Sequence, residues 1–221
     1  MKKITTSLCS LGLLTLAGSC LADINPYVGV DYYQAWMQGK DSELFNKNAL
    51  PKSYPGASIY GGVKWMENFA TEVGIDWSAK KTKDTTETVN VRPFGSVNVS
   101  ESNKVRRNGY HLDLVGILPV NECFNVLATV GAGWVKVKVD QTLTASAGAL
   151  SANLGQGSIS SKYRPLARLG VGASYLFTEM FGVRAKVNYE NTARVKVNFL
   201  GTDYKPFKNT TSLTLGAFVQ F

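Results

Sequence analysis

The sequence predicts an all-β fold that closes as an eight-stranded antiparallel transmembrane barrel, with long extracellular loops and short periplasmic turns. Three observations support this prediction: apolar residues alternate with polar or small ones in eight segments, aromatic residues stand at the segment ends, and short connections alternate with long ones. Alternation places the apolar side chains on one face of a strand. The last segment shows it most clearly, since Leu213, Leu215, Ala217, Val219 and Phe221 share one face.

The N-terminus predicts export. Two lysines precede a short apolar run that ends in small residues at Ala22, which is typical of a secretory signal peptide cleaved after that residue. Lipidation at Cys20 is an alternative, because small residues precede this cysteine. We therefore divide the chain into a removed signal peptide, residues 1–22, and an outer-membrane barrel domain, residues 23–221.

Composition limits the classes of function. Loss of the two signal lysines lowers the formal net charge from +8 to +6, an excess that suits anionic lipid or acidic glycan, while export argues against nucleic acid. Beyond the signal, the sequence holds one histidine, His111, and one cysteine, Cys123. These form neither an internal disulfide nor a set of nitrogen and sulfur ligands for a metal, so we expect no cofactor.

Eight predicted strands each have one consistently apolar face. Their ranges are Tyr27–Met37, Ser58–Trp65, Phe69–Ser78, Tyr110–Leu118, Phe124–Val135, Tyr163–Tyr175, Phe181–Glu190 and Ser212–Phe221. A soluble β-sandwich also shows alternation, but the aromatic residues favour a membrane. They form two belts at the strand ends, where amphipathic rings suit the interface between water and lipid. The predicted interface residues are Trp36, Trp65, Trp77, Trp134, Tyr175, Tyr189 and Phe221.

The connections alternate in length as outer-membrane barrels require. Three are short turns, and four are long: residues 38–57, 79–109, 136–162 and 191–211. Alternation returns inside the long regions at Thr88–Val99 and Val195–Phe199, which predicts hairpins above the membrane and leaves ten strands as an alternative count. The uncharged stretch Thr142–Ser161 predicts a mobile segment.

Three segments carry a family resemblance: ENFATEVGIDW at 67–77, ATVGAGW at 128–134 and LGVGASY at 169–175. With the closing phenylalanine, they make the sequence similar to the small eight-stranded outer-membrane barrels that include opacity proteins and the barrels of OmpA and OmpX. The resemblance implies an adhesive or structural surface role, and insertion by machinery that recognises a last strand ending in Phe221. We expect a monomer, without the peptidoglycan-binding domain of full-length OmpA.

Strand parity also predicts a charged lumen. The inward-facing charged residues are Asp31, Lys64, Glu72, Asp76, Asp113, Arg168, Arg184 and Lys186. Side chains just fill an eight-stranded barrel, and charges in so confined a space are expected to pair. Because strands three and seven lie opposite each other, Glu72 and Asp76 are expected to meet the bases of strand seven. The main interpretation is a charge-paired plug, and the alternative is a gate that opens a small pore.

The loops are the predicted place of function. The single histidine has no serine beside it on its face to form a nucleophile and base, so we expect no enzyme, and a lipid-modifying enzyme is the third choice. Basic residues gather in the second long loop: Lys80, Lys81, Lys83, Lys104, Arg106 and Arg107. Near the upper aromatic belt they would meet lipopolysaccharide phosphates, and farther out they would meet anionic host glycans or receptors. A merely solvated loop surface is one alternative, and a small passive porin-like channel is another.

Overall fold

The computed structural model describes residues 24–39, 51–91, 95–147, 150–191, 197–199, 202–204 and 207–221, and the predicted signal peptide lies outside them. In these residues the strands are β1 (Asn25–Gly39), β2 (Ser53–Met66), β3 (Phe69–Ser78), β4 (Lys81–Val91), β5 (Gly95–Pro119), β6 (Phe124–Ala147), β7 (Leu150–Ser160), β8 (Arg164–Leu176), β9 (Phe181–Glu190), β10 (Val197–Phe199), β11 (Thr202–Tyr204) and β12 (Phe207–Gln220). No helix in the described part of the chain is long and apolar enough to span a bilayer.

Eight of these strands form a closed antiparallel ring. The order around the ring is β1, β2, β3, β5, β6, β8, β9 and β12, and β12 returns to pair with β1. At the closure, Tyr32 lies opposite Leu215. The predicted eight-stranded antiparallel barrel is therefore confirmed.

Two further strands extend the sheet beyond the ring at the end with the long loops, called here the loop end. Strand β4 pairs with residues 95–105 of β5, and β7 pairs with residues 138–147 of β6. Ten strands thus share one hydrogen-bonded sheet although eight close the barrel. Strand β10 lies in the predicted Val195–Phe199 region and pairs with β11, which follows it in the chain. Residues 195 and 196 of that region lie outside the described residues.

The stretch Thr142–Ser161 corrects one prediction. Its described residues continue β6 to Ala147 and form β7, whereas the uncharged composition had indicated a mobile segment. The backbone of β6 supplies hydrogen-bond partners for β7, and such pairing needs neither charge nor strong alternation in the side chains. Composition alone was therefore a poor guide there.

The predicted strand bounds agree best with those of the structure where lipid covers the outer face of the strand. Strands β3 and β9 match the predicted ranges at both ends. By contrast, β5 begins at Gly95 rather than Tyr110, and β6 ends at Ala147 rather than Val135. Beyond the membrane the outer face of the strand meets water and becomes polar, so the apolar outer face that marks a membrane strand ends although the backbone pairing continues.

The outer face of the ring is apolar and carries aromatic belts. The seven predicted interface residues are 40–66% exposed. Near the loop end, Tyr110 lies opposite Trp134 and its ring stacks on Tyr163 at 5.0 Å. Near the end with the short turns, called the turn end, Phe124 lies opposite Tyr175. The belts therefore border an apolar band on both sides.

The inner face is buried and narrow. Burial alternates residue by residue along β9, and the inner positions are the buried ones. Glycine makes room for large inner side chains, since a Cβ at Gly29 would collide with the ring of Tyr60. At the loop end, an apolar plug fills the lumen; its members, all at most 7% exposed, are Met37, Tyr54, Val105, Val135, Val137, Val139 and Leu166.

Candidate functional site: a filled lumen and a basic outer surface

Two groups of ion pairs occupy the lumen below the apolar plug. The lower ion cluster consists of Asp31, Glu72, Arg184 and Lys186, and the upper ion cluster consists of Asp76, Arg107, His111, Asp113, Arg168 and Glu190. All ten side chains belong to residues no more than 9% exposed. The sequence of residues along β5 shows how these groups are stacked from the loop end to the turn end. Val105 belongs to the plug, Arg107 follows in the upper ion cluster, and Val115 lies nearest the turn end.

Arg184 is the centre of the lower ion cluster. Its Nε and Nη2 donate to the two carboxylate oxygens of Asp31 at 3.0 and 2.6 Å, and its Nη1 donates to Glu72 Oε1 at 2.6 Å. The ring of Tyr60 covers the guanidinium, with Cζ 3.3 Å from the ring centroid. Such two-pronged, charge-assisted hydrogen bonds are the strong kind. The cluster therefore ties β9 to both β1 and β3.

Glu72 completes the lower cluster. Besides Arg184, it accepts hydrogen bonds from Lys186 Nζ at 3.2 Å and from the hydroxyl of Tyr27 at 2.9 Å. Each of its oxygens thus has a donor, as a buried carboxylate requires. The contact with the bases of β9 agrees with the position of these strands across the ring from each other.

Asp76 does not reach the bases of β9. Its Oδ2 lies 3.6 Å from Arg168 Nη1 and 3.1 Å from His111 Nδ1. Asp76 lies four residues closer to the loop end than Glu72 along β3, at the level of Arg168 and His111 rather than of Arg184 and Lys186. The strands run at an angle to the barrel axis, which shifts the levels that face each other. The expected pairing was wrong for this residue, and right for Glu72.

The upper ion cluster is looser than the lower one. Arg168 lies between three carboxylates, 3.6 Å from Asp113 and 3.8 Å from Glu190 in addition to its contact with Asp76. These separations exceed hydrogen-bond length. Among the described residues, neither Asp113 oxygen accepts a hydrogen bond. Cavities beside this cluster measure about 10 Å³ each, which is too small for a hydrated ion.

Arg107 corrects the predicted basic loop cluster. It is 4% exposed, and its Nη2 donates to Glu190 Oε2 inside the barrel. Its chain neighbour Arg106 is exposed on the outer face. The cause is strand parity: β5 continues above the predicted start, so alternate residues of the supposed loop face opposite sides. Arg107 and Glu190 are thus lumen residues that the sequence reasoning missed.

The other members of that predicted cluster also separate. Lys104 and Arg106 lie on the outer face of β5, while Lys81 and Lys83 occupy register positions opposite the buried Val105 and Asn103. Lys80 is exposed just before β4. The six bases therefore do not form one patch.

A different basic group does form on the outer face. Arg106 pairs in register with Lys138, Lys136 lies opposite Asn108, and Lys104 lies opposite Asp140. We call Lys104, Arg106, Lys136 and Lys138 the basic outer patch; all four are exposed. Lys136 Nζ also stands 5.9 Å from the ring centroid of Tyr163. Lys136 and Lys138 had been missed, although their parity with Trp134 would have placed them there.

Lys64 differs from the other predicted lumen charges. It is half-buried and lines a cavity of about 310 Å³ at the turn end, called the basal cavity. Among the described residues, no carboxylate lies within salt-bridge distance of its ammonium. The described residues also contain no group of three or more His, Cys, Asp or Glu side chains placed to hold a metal ion.

A closed antiparallel ring with an apolar outer band, aromatic belts and a polar filled lumen defines a bacterial outer-membrane β-barrel. Within that class, residues 22–221 match the family described as the OmpA-like transmembrane domain, and the chain belongs to this family. The predicted family resemblance and outer-membrane location are thereby confirmed.

Solved structures show the same fold. A major outer-membrane protein from Thermus thermophilus is 12% identical, with a TM-score of 0.53 over 89% of this chain and 99% of that chain. Neisserial surface protein A is 16% identical, with a TM-score of 0.52 over 90% and 97%. OprG from Pseudomonas aeruginosa is 8% identical, with a TM-score of 0.52 over 89% and 95%. No match was found among curated proteins.

Proposed function

We propose that this protein is a surface-interaction barrel whose lumen stays closed and whose basic outer patch binds the phosphates of lipopolysaccharide. The observation that carries the proposal is the place of the patch in the strand register, directly beyond Tyr110 and Trp134. The proposal includes export by a signal peptide, residues 1–22, insertion through the strand that ends in Phe221, and a monomeric state.

The height of the patch matches that of lipid phosphates. Each residue advances about 3.3 Å along a strand, so along β6 Lys136 stands roughly 7 Å beyond Trp134 and Lys138 roughly 13 Å beyond it. The tilt of the strands makes the differences in height somewhat smaller. Trp and Tyr rings of an aromatic belt lie at the level of the lipid headgroups. Cations on the outward face just beyond the belt therefore stand where lipopolysaccharide presents its phosphates.

The charge of the patch is only partly compensated. Asp140 Oδ1 lies 3.3 Å from Lys138 Nζ. A hydrogen bond from the Ser158 side chain lowers the pKa of Asp140, so this carboxylate is ionised at neutral pH and holds Lys138. Lys104, Arg106 and Lys136 remain available to phosphate oxygens, for which charge-assisted hydrogen bonds are strong.

The filled lumen supports a surface role over the passive-channel alternative. The apolar plug and two ion clusters lie in series along the barrel axis. His111 lies beneath the plug and is 3% exposed, and this burial also supports the expectation that the protein is not an enzyme.

The test compares two double variants in vesicles that contain lipopolysaccharide. Arg106→Gln with Lys136→Gln removes two cations of the patch, and Lys52→Gln with Lys81→Gln removes two exposed cations elsewhere. A ligand that binds only the folded state raises the unfolding midpoint. We expect lipopolysaccharide to raise the midpoint of the wild type and the control pair, and to bind the patch pair about tenfold more weakly.

Measurements with two further ligands test which chemical group the patch recognises. Lipopolysaccharide stripped of its phosphates is expected to give no rise in the midpoint, and heparin is expected to compete if the patch also takes sulfated glycans. An equal rise in the patch pair and the wild type would contradict the proposed binding surface.

A further inference from the structure

The basal cavity has no role in the surface function. It has a volume of about 310 Å³ and opens between the short turns, with Glu67 and Glu122 at its mouth. Its floor is the lower ion cluster, represented in the lining by Glu72 and Arg184. Because the clusters and the plug lie above it, a ligand would enter and leave at the turn end, which is the periplasmic side in this class of barrel.

Two walls of the basal cavity are apolar. Val115, Ile117 and Leu127 form an aliphatic wall, of which Val115 and Leu127 are 2% and 6% exposed. Tyr27 packs against the cluster that contains Val115 and Leu127 and makes edge-to-face contacts with Tyr60 and Phe218, each at 6.3 Å between ring centroids. Apolar and aromatic walls with a few polar groups are the usual lining of a small-molecule site, and the volume lies at the lower end of the usual range.

The mouth of the cavity is acidic. The three short turns carry Glu67, Glu122 and Glu179 and contain no Lys or Arg. Glu67 and Glu122 line the cavity, and no base among the described residues lies within salt-bridge distance of either. Lys64 is the opposing charge in the lining, since Arg184 is held by Asp31 and Glu72. Two carboxylates against one ammonium give the mouth a net negative charge.

We propose that the basal cavity binds a small organic amine, with its ammonium between Glu67 and Glu122 and its apolar body against the aliphatic wall. The carboxylates select a cation, and the cavity walls select one that carries an alkyl or aromatic body. A neutral molecule of the same length would gain the apolar contact alone, and an anion would meet the two carboxylates.

The probe for the test is n-octylammonium, added to the refolded barrel in lipid nanodiscs. Isoleucine methyl groups report the site by NMR, because Ile117 lines the cavity while Ile59 and Ile75 face outward and are 53% and 51% exposed. Partition of the probe into lipid would shift Ile59 and Ile75 as well. We expect a saturable shift at Ile117 with octylammonium, a weaker one with n-octanol, and none with octanoate.

Charge variants give effects of opposite sign. The pair Glu67→Gln with Glu122→Gln is expected to weaken octylammonium binding about tenfold, and Lys64→Gln is expected to strengthen it about threefold. Glu179→Gln is the control, since it removes one such charge from a turn that does not line the cavity. Asn125→Phe fills the cavity from a half-buried position and is expected to abolish the shift.

Each variant is first shown to fold by the heat-modifiable band on an unboiled gel. The proposal is overturned if Ile117 responds equally to octylammonium and octanoate, if its shift does not saturate, or if the glutamate pair binds octylammonium as tightly as the Glu179 control.

Discussion

Arg184 and Glu72 join opposite walls of the barrel, with Nη1 of the arginine donating to Oε1 of the glutamate at 2.6 Å. They lie on β9 and β3, which are separated by three strands in either direction around the ring. The contact is buried, and Asp31 binds the remaining edge of the guanidinium. The contact thus links opposite walls across the centre of the barrel, in addition to the hydrogen bonds between neighbouring strands.

Removal of this tie is expected to destabilise the barrel strongly. Arg184→Met leaves Asp31 buried without a cation and Glu72 with Lys186 alone, which is expected to cost about 3–5 kcal/mol of unfolding free energy. Lys64→Met, in the same lumen but without an ion pair, is expected to change it by less than about 0.5 kcal/mol. Urea unfolding in lipid vesicles measures both, and equal losses would show that the lower cluster is not the source of the stability.

Adjacent arginines on β5 give a second prediction. Arg107→Met removes the cation that is hydrogen-bonded to the buried Glu190. The change is expected to cost about 3–5 kcal/mol of unfolding free energy. Arg106→Met, one residue away on the exposed face, is expected to cost less than about 0.5 kcal/mol. The same unfolding measurement distinguishes them, and a reversed order would mean that the strand parity is displaced by one residue.

The membrane band can be located on β6. Val130 is 52% exposed on the outer face between the two aromatic belts, and Thr144 is exposed on the same strand in the extension. Val130→Arg is expected to cost about 2–4 kcal/mol in lipid because the charge enters the bilayer, whereas Thr144→Arg is expected to be nearly neutral. Comparable costs at both sites would contradict the position of the band.

Phe221 is expected to matter for assembly rather than for stability. Its side chain is 66% exposed, and the backbone N–H of Phe221 donates to Pro26 O at 2.9 Å, a bond that a change of side chain leaves intact. Phe221→Ala should therefore refold normally in pure lipid vesicles but insert poorly in cells. A normal amount in the outer membrane of living cells would argue against recognition of this residue.

Strand parity explains how much of the molecule was predictable. The period of two assigned Glu72, Arg184 and Trp134 to their faces from the sequence alone, since each lies in a strand with a lipid-covered side. Arg107 was not predicted because β5 continues beyond the membrane, where the outer face of the strand is polar and an apolar outer face no longer marks it. The apolar plug was not predicted for the same reason, since Val105 and Val137 lie in the parts of β5 and β6 that extend beyond the membrane.

Pairing across the lumen was less predictable than orientation. Strand parity places the Asp76 side chain inside the barrel. Its partner, however, depends on the stagger between strands that are not neighbours, and the structure places Arg168 and His111 at its level. Stagger is set by the tilt of the whole ring, which no local pattern contains. The basic outer patch likewise depends on the register of β5 against β6.

The closed lumen is tested most directly by current through a planar bilayer that contains the refolded barrel, after an unboiled gel shows the folded band. With the apolar plug and both ion clusters in place, we predict a silent trace at voltages at which an open porin conducts. Steady single-channel openings from the folded protein would contradict the closed lumen, and would make the passive channel the better description of its function.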